Sequence, residues 1–301
     1  MPIIYQPFDA SKKAHWRDRG SLFDYLFSTN GEDRKLLDFG PGDGWPSLIV
    51  APFVREVIGI EGSHRRINVC RENAKHLGIS NARFIYVEPG KSLPFPDNTF
   101  DEVMAASSVE QTPDPGFTLK ELFRVLRPGG KLRINYEALN MYRNGKEQEI
   151  ALDEKNKETC RLIIYDRNIE KEYARMYSIM FEKPCNEIMN YFSRDGNSLS
   201  LDMLTIPLLE KLKSAITEAR FCSLTHPSGR TFLLWLKDIG FRKVISTHSG
   251  AWFAGQLFDQ FSEENRPKDM DTIDKLLKPL VKIVVQMKAP IGDDPMITAV
   301  K

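Results

Sequence analysis

The residues of this chain most evidently able to do chemistry are the acids and glycines of Asp38-Phe39-Gly40-Pro41-Gly42-Asp43-Gly44. They follow Leu36-Leu37, so a short apolar strand ends at a carboxylate and breaks into a glycine-rich turn. Trp45-Pro46-Ser47-Leu48-Ile49-Val50 then reads as a helix start, where proline loses no helical hydrogen bond. A strand, a tight turn and a helix start together present backbone N–H groups to a polar ligand. A dinucleotide site wants a third glycine where Trp45 stands, which argues against NAD or FAD. No Gly-Lys-Ser/Thr follows the turn, which excludes a P-loop. A second acid, Glu61, closes the next apolar run about twenty residues on. Its two carboxylate oxygens can accept from both hydroxyls of a ribose. Asp38 suits an ammonium group, and the glycines admit a bulky thioether or sulfonium. The pattern therefore fits a ligand with a ribose diol and no phosphates.

The elements that must position these residues follow a regular rhythm. Apolar runs at Lys35–Asp38, Glu56–Glu61, Ala82–Val87, Phe100–Ala106 and Lys131–Tyr136 alternate with helical stretches, one of them spanning Leu119–Leu126. That helix ends at Pro128-Gly129-Gly130, read as a helix-to-strand turn. An amphipathic helical leader precedes them, over Phe8–Phe27. Such alternation predicts right-handed crossovers and a parallel sheet. From Asn140 to Pro227 the rhythm stops. Polar segments over Asp153–Thr159, Ile169–Phe181 and Leu208–Ala219 are read there as helices. The rhythm resumes with a helix over Thr231–Ile239, a strand over Phe241–Ser246, a helix over Asp271–Met287 and a last strand, Pro295–Val300. The predicted fold is α/β, a doubly wound, mostly parallel seven-stranded sheet with a mainly helical insertion after strand five. Its expected parts are a core over 1–139, an insertion over 140–227 and the rest of the core over 228–301.

Composition narrows the class. The chain has 301 residues, with 42 basic against 41 acidic ones, and so lacks the charge footprint of a nucleic-acid or anionic-membrane binder. Cys70, Cys160, Cys185 and Cys222 are too scattered for a metal knuckle or a redox pair. They are expected as free thiols in a reducing compartment, and no metal is expected. The first twenty residues carry Asp9, Lys12, Lys13, Arg17, Asp18 and Arg19 and no apolar core, so no signal peptide is expected. No apolar run approaches the roughly twenty residues of a membrane span. The expected location is cytoplasmic.

With these residues in place, the chain resembles the class I S-adenosylmethionine-dependent methyltransferases, nearest the small-molecule branch with the ubiquinone and menaquinone C-methyltransferases. The resemblance rests on Asp38–Gly44, Glu61, Leu93-Pro94-Phe95-Pro96-Asp97-Asn98-Thr99-Phe100-Asp101, Pro113-Asp114-Pro115 and Arg124-Val125-Leu126-Arg127-Pro128-Gly129-Gly130. It covers about Leu36 to Tyr136 in its motifs and leaves Asn140–Pro227 uncovered.

It implies S-adenosylmethionine as cofactor, S-adenosylhomocysteine as product and a last strand lying antiparallel between strands five and six. Gly40, Gly42 and Gly44, with Phe39 and Pro41 in the same turn, would approach the methionine portion, and Asp38 its amino group. Glu61 would bind the ribose, with Gly62 and Ser63 beside it. Ser107 and Ser108 would lie beneath the sulfonium. Where the family carries an Asp for the adenine amine this chain has Glu88-Pro89-Gly90, so either Glu88 substitutes by reach or the backbone there, with Pro89, holds the adenine alone.

The expected reaction is in-line methyl transfer to a small-molecule acceptor. Glu110, Gln111, Tyr136 and Glu137 stand at strand ends and are candidates to position the acceptor, and Tyr173, Tyr177 and Phe181 of the insertion are candidates to wall it. His248 is read as a solvated or capping residue. The oligomeric state is open, with the insertion offering a homodimer face. Two further readings stand beside this one: a catalytically silent cofactor-binding scaffold, and a protein methyltransferase gripping a peptide with the insertion. An Asn-Pro-Pro-Tyr type motif is absent after strand four, where Ser107-Ser108-Val109-Glu110 stands.

Overall fold

The computed structural model describes residues 6–139, 147–194, 199–292 and 295–301. The chain divides into two compact units, Met1–Glu137 with Gly229–Lys301, and Ala138–Ser228. Asn140, the expected start of the insertion, lies outside the described residues.

The first unit holds helix α1 (Lys13–Thr29), strand β1 (Lys35–Phe39), helix α2 (Ser47–Val50), β2 (Glu56–Glu61), α3 (His64–His76), β3 (Ala82–Tyr86), β4 (Phe100–Ala106), α4 (Pro115–Val125) and β5 (Leu126–Asn135). After the second unit come α7 (Gly229–Ile239), β10 (Arg242–Thr247), α8 (Gly250–Gln260), α9 (Met270–Val284) and β11 (Met296–Val300). Seven strands form one sheet in the order β10-β11-β5-β4-β1-β2-β3. β11 runs antiparallel between β5 and β10, and the other described pairings are parallel. This is the doubly wound, mostly parallel sheet that the alternation predicted. The inner strands are buried on both faces (Leu36, Leu37, Val57, Ile58, Val103 and Met104 are at most 2% exposed), as helices covering both sides require. The strand order reverses between β1 and β4, and ligands bind at the carboxyl ends of strands beside such a reversal.

Two local departures from expectation have plain causes. The helix after the glycine turn is only one turn long and runs into a 3-10 turn at Ala51–Phe53, where Pro52 interrupts it. β5 starts at Leu126, five residues early, and takes in Pro128-Gly129-Gly130. Its register with β4 slips between Phe100 and Glu102, so the expected turn is absorbed as an irregularity.

α1 packs against α8 at very close range. A Cβ on Gly20 would lie 2.3 Å from the Gly250 carbonyl oxygen, so only glycine lets the backbones meet. Beside that contact Arg133 of β5, fully buried, donates to both carboxylate oxygens of Asp24 at 2.9 and 3.1 Å, and also to Thr247, Thr298 and the His248 carbonyl. Asp24 in turn accepts from the Gly250 N–H at 2.6 Å. One buried ion pair thus ties α1, β5, β10, β11 and α8 together.

The second unit corrects the sequence reading. It is not mainly helical. It consists of β6 (Gln148–Asn156), β7 (Thr159–Asn168), β8 (Tyr173–Phe181) and β9 (Ile216–Thr225) in one antiparallel sheet, with short helices α5 (Cys185–Phe192) and α6 (Ile206–Leu212) between β8 and β9. Asp153–Thr159 is a strand end and hairpin turn, Ile169–Phe181 a turn and strand, and Leu208–Ala219 a helix end followed by a strand. On one face of the sheet Leu162, Ile164 and Phe181 pack with Ile188, Phe192 and Leu212, and on the other the paired Arg167 and Ala174 are buried. Its other positions are polar or half-exposed, and that composition imitates a solvated helix. A second correction concerns the cysteines: Cys160 and Cys185 form a disulfide across 25 residues, while Cys70 and Cys222 are free. The fold brings the start of β7 to the start of α5, a proximity their spacing does not reveal. No helix among the described residues is long and apolar enough to cross a membrane.

Candidate active site

The glycine turn leaves β1 at the carboxyl edge of the sheet, and its neighbours clamp it. Cys70 Sγ of α3 donates to the Gly42 carbonyl at 3.4 Å and Asn73 Nδ2 to that of Asp43 at 2.8 Å. Gly40 has φ +76, and a Cβ there would lie 2.5 Å from Cβ of Ser108, so only glycine fits. Ser108 Oγ donates to the Phe39 carbonyl, joining the end of β4 to the start of the turn. A Cβ on Gly42, by contrast, would meet nothing within 4 Å. The turn is rigid behind and open at Gly42.

Two carboxylates flank it. Asp38 is fully buried, and its Oδ2 accepts from Ser47 N at 3.0 Å and Ser47 Oγ at 2.6 Å. Its Oδ1 is buried with no hydrogen-bond partner. Burial pushes this carboxyl up to about 7, against the two Ser47 hydrogen bonds that favour the ionised form, and nearby Glu61 adds to the rise. Glu61, 8% exposed, accepts from Gly42 N at 3.1 Å and lies 4.0 Å from an Arg66 guanidinium nitrogen. That one bond leaves the carboxylate capacity for further donors.

The other sequence candidates divide. Ser63 caps α3, accepting from Arg66 N at 3.4 Å, and Gly62 lies under Pro89, whose Cγ would be 2.6 Å from an added Cβ. Glu88 and Pro89 are on the exposed loop after β3. Ser107, at φ +47, donates through Oγ to Asn135 Oδ1 at 2.9 Å, and Gln111 Nε2 donates to the Ser107 carbonyl. Glu110, 1% exposed, accepts from Glu137 N at 3.0 Å, so these two candidates hold each other. Tyr136 has no exposed surface, and its ring stacks on Phe232 at 4.1 Å. In the second unit Phe181 belongs to that unit's own core, while Tyr177 and Phe221 form an exposed pair 5.0 Å apart. Among the described residues no group of three or more His, Cys, Asp or Glu could hold a metal ion.

Sequence reasoning missed a cavity of about 560 Å³ in the first unit, lined among others by Asp18, Tyr25, Trp45, Asn135, His248 and Trp252. Arg133 offered a signal for it, since a charged residue inside an inner strand must find a buried partner.

A seven-stranded sheet with β11 reversed between β5 and β10, and an acidic glycine turn at its reversal point, make up the Rossmann-like fold that methyltransferases share. Residues 37–134 match the family model described as methyltransferase domain. The uncharacterized methyltransferase YcgJ of Bacillus subtilis is 31% identical over 102 residues, covering 34% of this chain and 40% of that protein. The ubiquinone/menaquinone biosynthesis C-methyltransferase UbiE of Pasteurella multocida is 35% identical over 107 residues, covering 33% of this chain and 38% of its own. The matched region spans less than half the length of these relatives. A solved S-adenosylmethionine-dependent methyltransferase from Clostridium acetobutylicum shares the fold at 11% identity, with a TM-score of 0.50 over 94% of this chain and 89% of its own.

The residues present fit the cofactor that the resemblance implies. A buried carboxylate oxygen without a partner suits a cationic ammonium, an open glycine leaves room for a chain laid over it, and Glu61 suits a diol.

Proposed function

We propose that this protein is an S-adenosylmethionine-dependent methyltransferase acting on a small-molecule acceptor. The observation that carries the reading is the pairing of Asp38 Oδ1, buried and unpartnered, with Glu61 across an open glycine turn. Asp38 receives the ammonium of the methionine portion, Glu61 the ribose hydroxyls, and Gly42 the backbone approach between them. Phe39, Gly40, Pro41 and Gly44 hold the turn's shape, Gly62 and Ser63 continue the strand edge beside Glu61, and Glu88 and Pro89 lie toward the adenine end. Ser107 and Ser108 support the sulfonium end from β4.

The cofactor, when bound, supplies a methyl group on a good leaving group. The protein's work is then to align the acceptor in line and to exclude water. Gln111, bonded to the Ser107 carbonyl, and the linked pair Glu110 and Glu137, with buried Tyr136 behind them, brace the ends of β4 and β5 that support the acceptor's site. Incubation with S-adenosylmethionine carrying a tritiated methyl group, plus a metabolite extract, tests the reading. Label is expected in a small-molecule product separated chromatographically from the cofactor, and absent from the protein fraction. Label in protein favours peptide methylation, and cofactor binding with all label remaining in the cofactor favours a silent scaffold.

A further inference from the structure

Resting on that reading, we infer that the methyl acceptor binds in the 560 Å³ cavity between α1 and the carboxyl ends of β5 and β10, as a flat, uncharged molecule whose hydroxyl donates to Asp18. The cavity falls in the size range of ordinary small-molecule sites. It belongs wholly to the first unit and lies at the same carboxyl edge of the sheet as the glycine turn. Trp45, in its wall, directly follows Gly44. Asn135, also in its wall, holds Ser107, whose neighbour Ser108 supports Gly40. Trp45 and Asn135 thus border the cavity on one side and the turn and its Ser107-Ser108 support on the other.

The lining specifies the ligand. Tyr25, Trp45 and Trp252 supply aromatic surface, and His248 stacks on Trp252 with ring centroids 5.9 Å apart. Aromatic walls favour a flat body over a flexible chain. Two polar atoms of lining residues are buried with no partner, the acceptor Asp18 Oδ2 and the donor Trp45 Nε1. Buried polar groups are normally satisfied, so such a pair marks what an occupant must supply: one donor and one acceptor. Burial also pushes the Asp18 carboxyl up to about 6, against the pull of Arg17 and Arg19. The wall charges balance, since Arg17 accompanies Asp18 and Asp24 is tied to Arg133, so no net charge is asked of the ligand.

The test uses 2-naphthol, a flat hydroxyl donor, against 2-methoxynaphthalene, the same body without the donor. Binding is followed by tryptophan fluorescence on the full chain saturated with S-adenosylhomocysteine. The naphthol is expected to bind about 10-fold more tightly than the ether, as a hydrogen bond to a charged group implies. Asp18→Ala is expected to abolish that preference while leaving S-adenosylhomocysteine affinity unchanged, which also shows that the variant is folded. Trp252→Ala is expected to weaken both probes. Equal binding of the two probes, no binding of either at millimolar concentration, or a preference that survives Asp18→Ala overturns the inference. Failure of S-adenosylhomocysteine to bind overturns the cofactor reading instead, and the naphthol comparison without it still reports on the cavity.

Discussion

The glycine turn and the cavity lie at one edge of one sheet, yet they are built from different materials. The turn offers backbone N–H groups and open glycine surface, fixed from behind by Ser108, Cys70 and Asn73. The cavity offers side chains from α1, β5, β10 and α8, brought together by the Asp24–Arg133 pair. Side chains can be exchanged without disturbing a strand, whereas a backbone turn cannot be changed without refolding it. On the proposed reading the methyl donor is held by backbone and the acceptor by side chains, so substitutions can retune the acceptor site more freely than the donor site.

The largest effect on this comparison should come from Arg133→Met. It leaves Asp24 buried without its counter-ion, which should cost about 3–5 kcal/mol of folding stability, measured by urea denaturation. Glu61→Ala comes next and attacks the turn alone. Its loss of charge-assisted bonds to the ribose should weaken S-adenosylmethionine binding by roughly 10- to 100-fold in equilibrium dialysis, with the unfolding midpoint little changed.

Asp38→Asn separates function from stability. Its oxygen can still accept from Ser47, but the ammonium loses its charge partner, so affinity should fall by about 10-fold. The ligand-free variant should nevertheless melt higher at pH 8 than the parent, because a buried carboxylate no longer has to ionise.

A pH series gives a smaller and more general effect. Asp18, Asp38 and Glu102 are raised by burial to about 6, 7 and 8. A carboxyl raised in the folded state binds its proton more tightly there than in the unfolded chain, so stability falls as pH rises through the window between the two values. Carboxyls held low, such as Asp101 and Glu121, act only at lower pH. The melting temperature of the ligand-free protein should therefore decline from pH 5 to pH 8. The decline near pH 7 should shrink when S-adenosylhomocysteine places its ammonium beside Asp38. The smallest effect is expected in the second unit, where Phe221→Ser, at a position 58% exposed, should change stability by no more than about 0.5 kcal/mol.

What could be read from the sequence follows the same division. Asp38–Gly44 and Glu61 are contiguous or nearly so, and the inner strands β1, β2 and β4 are buried apolar runs set off by glycine, proline or a cap, so local chemistry announces them. The cavity has no such signature. Asp18, Trp45, Asn135 and Trp252 are far apart in the chain and meet only once α1 crosses α8 at Gly20 and Gly250. The second unit reads as helical in sequence because its strands mix polar, half-buried and apolar positions in a small sheet. Tyr173–Phe181 buries only Ala174 and Phe181 and carries no break that separates it from a polar helix. Cys160 and Cys185 likewise become neighbours only through that sheet.

Titration calorimetry of the full chain with S-adenosylhomocysteine, run beside NADH as the competing nucleotide, tests the central claim most directly. The account predicts one-site binding of S-adenosylhomocysteine and no heat from NADH. Binding of NADH, or no binding of S-adenosylhomocysteine at millimolar concentration, would contradict it.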